Sequence, residues 1–307
     1  MNSRFTRFSL VLTLFTGISL FSCSSGEDTP DNNTNTNQPS GVIPPNSDNG
    51  NNNNSEPDNK PETGSGNPQE STWNLVFEDN FSSSDSIPNQ NYWTLAQKGT
   101  DTWNRYMSES YGQAYQKDGY LYLFGMQSNG EYLTGGIESI HKFDFKYGQM
   151  KCRARFLRQP QGNHTGIWMM PSPPAEKWPR SGEIDVMEHL DNQSHVFETV
   201  HFWNQNEDMD DKDDAKVDID NDDFNIYGII WDNESVEFTI NGEVKFTYKN
   251  DNPGNTDFSY QYPFTTPFYL ILSQSLGGEG TWEGVIDNDE LPAVFQIDWV
   301  KVWQKSE

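Results

Sequence analysis

The chain has 307 residues, 21% of them charged and 33% hydrophobic, and a formal net charge of −26 from 20 Lys+Arg against 46 Asp+Glu. That balance argues against a nucleic-acid partner, whose binding surface is usually basic, and two cysteines cannot form a disulfide scaffold. The polar excess coexists with 10 Trp, 13 Tyr and 19 Phe; disordered chains are poor in aromatics, so a polar tail joined to an aromatic-rich domain is expected, with rings suited to flat, uncharged ligands such as sugars.

Residues 1–22 read as a signal peptide. Arg4 and Arg7 give a positive start, and Phe8 to Leu20 form an apolar run too short to span a bilayer. Leu20-Phe21-Ser22-Cys23 resembles the end of a bacterial lipoprotein signal, in which Cys23 becomes the lipidated first residue; Phe21 is larger than the residue usual there. Residues 23–72 are dominated by Asn, Pro, Ser, Gly and acids, with Val42 and Ile43 as the apolar side chains after the cysteine. Such a stretch cannot bury enough surface to offset chain entropy. It reads as a disordered tether with a root-mean-square reach of about 35–42 Å. Glu27-Asp28 resembles the surface-export signal of some Gram-negative bacteria. The expectation is a monomer held to the outer membrane by its lipid alone, at the cell surface.

Residues 73–307 read as one all-β domain, with a period of two nearly everywhere. Gly119 to Phe124 is a strand candidate. Met150, Cys152, Ala154 and Phe156 alternate with Lys151, Arg153 and Arg155, giving one apolar and one basic face. Cys152 reads as a small buried hydrophobe. Ser235–Ile240 and Glu243–Tyr248 flank Asn241-Gly242, a strong hairpin signal because both turn residues need positive φ. Pro267 to Ser273 and Val294 to Trp303 supply further β-branched and aromatic strands. No long segment has helical periodicity with caps. Many short strands in one domain point to a two-sheet jelly-roll sandwich.

The informative segment is Glu183-Ile184-Asp185-Val186-Met187-Glu188. In a regular strand Glu183 and Asp185 share a face and Glu188 falls on the other. A β-bulge at Val186-Met187 would absorb the extra residue and return Glu188 to the face of the other acids. The two glutamates would then be about 13 Å apart at Cα, with carboxylates about 5 Å apart. A retaining glycosidase needs that gap; an inverting one needs about 6.5–9.5 Å. Three acids on one face also raise the proton affinity of at least one of them. Spacing alone equally allows a solvated acidic face or a cation site.

This segment resembles the catalytic signature of glycoside hydrolase family 16 in its bulge-containing form. Other landmarks follow in the family's order: Leu75 to Phe81, Tyr147 to Arg155, Gly166-Ile167-Trp168-Met169-Met170-Pro171, Trp178-Pro179, Thr199 to Trp203, Leu272 to Gly278 and Ile297 to Val302. The resemblance implies a concave-faced, concanavalin A-like jelly roll that cleaves internal β-glycosidic bonds with retention. Glu183 would be the nucleophile, Glu188 the general acid/base, and Asp185 the group that orients Glu183. His201 would support the site. Trp168, Trp178 and Trp103 would be sugar platforms, with Trp203 and Trp282 as second-rank candidates. The chemistry would require no cofactor, but many members hold a structural Ca²⁺, and Asp298 sits where an Asp ligand would fall.

The expected substrate is a β-1,3(-1,4)-glucan of laminarin type. The alternative is an endo-β-1,4-galactosidase acting on mucin-type poly-N-acetyllactosamine O-glycans; a non-catalytic lectin is a distant third, because a lectin has no need of the three acids together. Two departures bear on substrate. Asn163-His164-Thr165-Gly166 stands where glucan-cleaving members carry Trp-Pro-Ala, and Ser273-Gln274 stands where the family has an Asn. The acidic run from Glu207 to Asp223 lacks the Gly and Glu positions of an EF-hand loop and reads as a solvated loop near the cleft rim.

Overall fold

Alternating apolar and polar side chains require strands that bury one face. The computed structural model, which describes residues 73–174, 176–254 and 259–306, has that form. The expected signal peptide, Cys23 and the tether lie outside the described residues. In chain order the first strands are β1 (Trp73–Asp79), β2 (Thr94–Leu95), β3 (Ala114–Lys117), β4 (Tyr120–Ser128), β5 (Glu131–Thr134), β6 (Gly136–Glu138), β7 (Asp144–Phe145), β8 (Gly148–Arg158) and β9 (Asn163–Pro171). There follow β10 (Glu183–Leu190), β11 (His195–Asn204), β12 (Met209–Asp218), β13 (Asn225–Trp231), β14 (Ser235–Ile240), β15 (Glu243–Lys249), β16 (Phe268–Leu276) and β17 (Ala293–Lys305). A 3₁₀ turn at Asn288–Glu290 is the one helical element among the described residues.

The strands form two antiparallel sheets, and the fold is a jelly-roll sandwich. One sheet runs β15-β14-β13-β8-β17-β4-β3, with β1 beside β17 and β5 beside β4. The other runs β12-β11-β10-β9-β16-β6-β2, with β7 beside β16. Their inner faces make one core. Met150, Cys152, Ala154, Tyr227 and Val300 from the first sheet meet Ile167, Met169, Ile184, Val200 and Leu272 from the second. Cys152 is a buried free thiol, pushed up in proton affinity by burial and by Asp298. Its neighbours Lys151, Arg153 and Arg155 stay partly exposed on the outer face, as the alternation requires. The expected hairpin is present: Asn241 (φ 54°) and Gly242 (φ 84°) join β14 to β15.

One expectation is corrected. The middle of the acidic run, Met209–Asp218, is not a loop but strand β12, paired along its whole length with β11 at the sheet edge. Hydrogen bonds to β11 satisfy the inward side of its backbone, while its charges discourage another strand from adding at the outer side.

Candidate active site

Strand β10 lies between β9 and β11. Asp185 pairs with Trp168 on one side and Thr199 on the other, but the registers then slip: Met187 faces Ile167 on β9, and Glu188 faces Phe197 on β11. Val186 is the extra residue of a bulge. Both Val186 (1% exposed) and Met187 (0%) consequently enter the core beside Ile184, and Glu183, Asp185 and Glu188 line one cleft. Trp103, His164, Gly166, Trp168 and Trp282 complete its lining with Thr102.

The three acids are held differently. Glu183 accepts a hydrogen bond from the Trp178 indole N–H and shares another with Asp185. Burial raises its proton affinity, as does the charge of Glu188, against the opposing influence of His201 and these hydrogen bonds. Asp185 is raised well above the usual carboxyl range, first by burial and then by the charges of Glu183 and Glu188. Its Oδ2 lies 3.6 Å from His201 Nε2, and His201 Nδ1 lies 3.7 Å from Asp210 Oδ1 on β12. Burial pushes Glu188 up too, but His164, His201 and a hydrogen bond from Thr199 (3.2 Å) outweigh it and leave Glu188 below the ordinary range. Burial and mutual charge thus favour the protonated form of the Glu183–Asp185 pair, while the neighbouring histidines favour the ionised form of Glu188. A mutual-repulsion argument from three acids on one face did not foresee that division, because it contains no histidines.

Glu183, Asp185 and His201 offer ligand atoms all within 4.8 Å of one another. Glu183 also accepts the Trp178 indole N–H and shares a hydrogen bond with Asp185, so the group reads as a proton-sharing cluster.

Residues 99–301 match the sequence profile of Glycosyl hydrolases family 16. The chain belongs to this family. It is 36% identical over 241 residues to a keratan-sulfate endo-1,4-beta-galactosidase of Sphingobacterium multivorum, an alignment covering 76% of this chain and 55% of that protein. The chain thus spans about half the length of that relative. Among solved structures it is similar to a chain from a study of endo-acting O-glycanases with which human gut bacteria initiate mucin breakdown, at 30% identity and TM-score 0.69, covering 76% of this chain and 100% of the other. It is also similar to the laminarinase from Rhodothermus marinus, at 27% identity and TM-score 0.68, covering 78% and 100%.

Within this family-16 frame the other expected residues fall into place unevenly. Trp168, 8% exposed, forms part of the cleft floor: its N–H reaches Ser273 Oγ at 3.1 Å and Trp103 packs edge-on against it at 4.8 Å. A Cβ on Gly166 would approach Trp168 Cδ1 to 3.0 Å and Ser273 Oγ to 3.2 Å, which accounts for glycine there. Trp282, 55% exposed, stands at the cleft against His164 and Phe197. Trp178, 50% exposed, is tied to Glu183 and is thus more than a platform.

Arg180 lies 4.3 Å over the Trp203 ring, closing that face to a sugar. The carboxylate of Asp298 is paired through Oδ2 with Arg153. Residue-by-residue reading missed His164 and Thr199, which hold Glu188. The signal for His164 was present as a departure from the family's Trp-Pro-Ala, but nothing in the linear sequence showed what it faces.

Proposed function

We propose that this protein is a retaining endo-β-glycoside hydrolase, with Glu183 as nucleophile, Glu188 as general acid/base and Asp185 as the donor that orients Glu183. The observation that carries this reading is the bulge, which delivers both glutamates to one aromatic-lined cleft. In the first step Glu183 attacks the anomeric carbon as Glu188 gives a proton to the departing oxygen. In the second, Glu188 takes a proton from water as the hydroxide displaces Glu183. Indole rings stack on pyranose faces, a role for Trp103, Trp168 and Trp282.

For the substrate we place the galactoside of mucin-type poly-N-acetyllactosamine first. The 36% identity to a keratan-sulfate endo-1,4-beta-galactosidase exceeds the 27% identity to the laminarinase, and His164 replaces the tryptophan of the glucan-cleaving pattern. A laminarin-type glucan is the second reading, supported by that laminarinase's fold and length match. The domain is further proposed to be a surface lipoprotein of a Gram-negative outer membrane, acylated at Cys23, monomeric, with residues 23–72 as tether.

The deciding experiment digests keratan-type poly-N-acetyllactosamine, mucin, laminarin and mixed-linkage glucan and sizes the fragments. Internal cleavage of the first two supports the galactoside reading, and cleavage of laminarin alone replaces it. Product NMR is expected to show the β-anomer first; an initial α-product contradicts retention. Glu183→Gln is expected to lower kcat by about 10⁴-fold or more while oligosaccharide binding persists. Cys23→Ser is expected to leave the protein unlabelled by radioactive palmitate, and label retained by the variant would remove the anchor proposal.

A further inference from the structure

Strand β9 pairs His164 with Leu190 of β10 and with Ser275 of β16. The imidazole is thereby set between the two strands, on the cleft side. Its Nε2 lies 3.2 Å from Glu188 Oε1, and its Nδ1 3.2 Å from Ser275 Oγ. Both the His164 and Glu188 side chains are largely removed from water, at 11% and 15% exposed, and the Trp282 ring closes over the imidazole at 5.3 Å. The backbone of His164 is fixed as well: its carbonyl accepts from Gln274 Nε2 at 3.1 Å and from Ser275 Oγ at 3.2 Å. Behind it, buried Gln274 also binds Asn163 and Thr165. Among the described residues Nε2 has no other hydrogen-bond partner, so the Glu188 carboxylate at 3.2 Å is the polar group nearest to hand for it.

We propose that His164 is a positioning residue for Glu188, forming with Ser275 a relay that stores the proton the acid/base glutamate must give and recover in each turnover. This rests on the reading of Glu188 as acid/base. Across the 3.2 Å gap the imidazole and the Glu188 carboxyl share one proton between them. When substrate fills the cleft and excludes water, the separated charges lose solvation, and the proton passes from Nε2 to Glu188 to give two neutral groups. Glu188 then protonates the departing glycosidic oxygen as the bond from Glu183 to the anomeric carbon forms, leaving Glu188 anionic beside neutral His164. In hydrolysis of the covalent intermediate, water gives one proton to Glu188 and its hydroxide to the sugar carbon. Glu183 leaves as a carboxylate, and the proton returns to His164. No other reactant is required.

The groups facing Glu188 are His164 from β9, Thr199 and His201 from β11, and Glu183 and Asp185 on its own strand. Those facing His164 are Glu188, Ser275, Trp282 and, through charge, His189. Imidazole is the side chain whose ordinary charge change falls nearest neutrality, so a shared proton survives to higher pH than a lone carboxyl retains it. His164→Gln is therefore expected to move the basic limb of kcat/KM to lower pH by about one unit, roughly a tenfold loss on the alkaline side, with the acidic limb unmoved. A uniform fall in rate with both limbs in place would indicate packing only and overturn the proposal.

A second measurement needs neither substrate nor the His164 variant. In the intact, histidine-labelled chain, Glu188→Gln is expected to shift the NMR titration midpoint of His164 by about one unit; an unchanged midpoint also overturns the relay. The reading of Glu188 is tested separately, with Glu188→Ala and added azide on whichever polymer the parent cleaves. Recovery of a β-glycosyl azide supports that reading, and no recovery overturns the assignment of Glu188 whatever the histidine does.

Discussion

Asp185 is 2% exposed between two glutamates, and its proton affinity is raised well above the usual range by burial and their charges. A neutral Asp185 works as a donor to Glu183, a task an amide can also perform. Asp185→Asn is thus expected to keep most of the rate. Asp185→Ala is expected to lose about 10–150-fold in kcat, the value of a hydrogen bond to a charged group at ~1.5–3 kcal/mol. Equal rates in the two variants would sink the donor role. At the same scale the two indoles separate by burial. Replacing exposed Trp282 by Ala is expected to raise KM with little effect on melting. Replacing buried Trp168 by Ala is expected to cost about 3–5 kcal/mol in chemical denaturation as well. The acids and most tryptophans of the cleft were readable in the sequence because their residue types and order are informative. The Arg180 guanidinium over one face of Trp203 was not readable, because strand pairing and not sequence order brings the two together.

At the scale of the element, β10 keeps its three acids on one face by absorbing one extra residue. Val186 contributes a second consecutive core side chain and so turns Glu188 back to the cleft. Deleting Val186 leaves Glu183-Ile184-Asp185-Met187-Glu188, whose strict alternation keeps Met187 in the core and all three acids on the cleft face. The deletion is expected to preserve hydrolysis and to destabilise by about 1.5–3 kcal/mol through the lost burial of Val186; loss of turnover in a folded variant would show that the cleft needs the bulge itself. The bulge was legible because two apolar residues interrupted the alternation of acids. Strand β12 was not, because a run of aspartates carries almost no β-propensity. Ten consecutive register partners on β11 override that, and His201 thereby gains Asp210 as a neighbour.

Across the whole molecule, the sandwich buries a carboxyl that no catalytic argument uses. Glu198 on β11 is 0% exposed, on the same side of the strand as core residues Val196 and Val200, and neither of its oxygens has a hydrogen-bond partner. Burial pushes it up to about 8, with only the charge of Lys245 opposing. Folding then keeps a proton that the unfolded chain releases near its ordinary value of 4.5. This contribution to stability is full below about 4.5 and declines by about 1.4 kcal/mol per pH unit until the folded group itself ionises near 8. Melting curves from pH 4 to 9 are expected to show that decline, and Glu198→Gln to flatten it; identical slopes would mean Glu198 is ionised in the fold.

The sequence by itself determined the all-β class, the sandwich, the order of the landmarks and the identity of the two glutamates, because alternation and residue type are local properties of a strand. Tertiary structure alone decided how protons are shared among the acids, since His164, Thr199 and His201 reach them from neighbouring strands. It alone also decided that Arg153 occupies Asp298. Charge coupling and desolvation act through space, and strand pairing brings together residues that lie far apart along the chain.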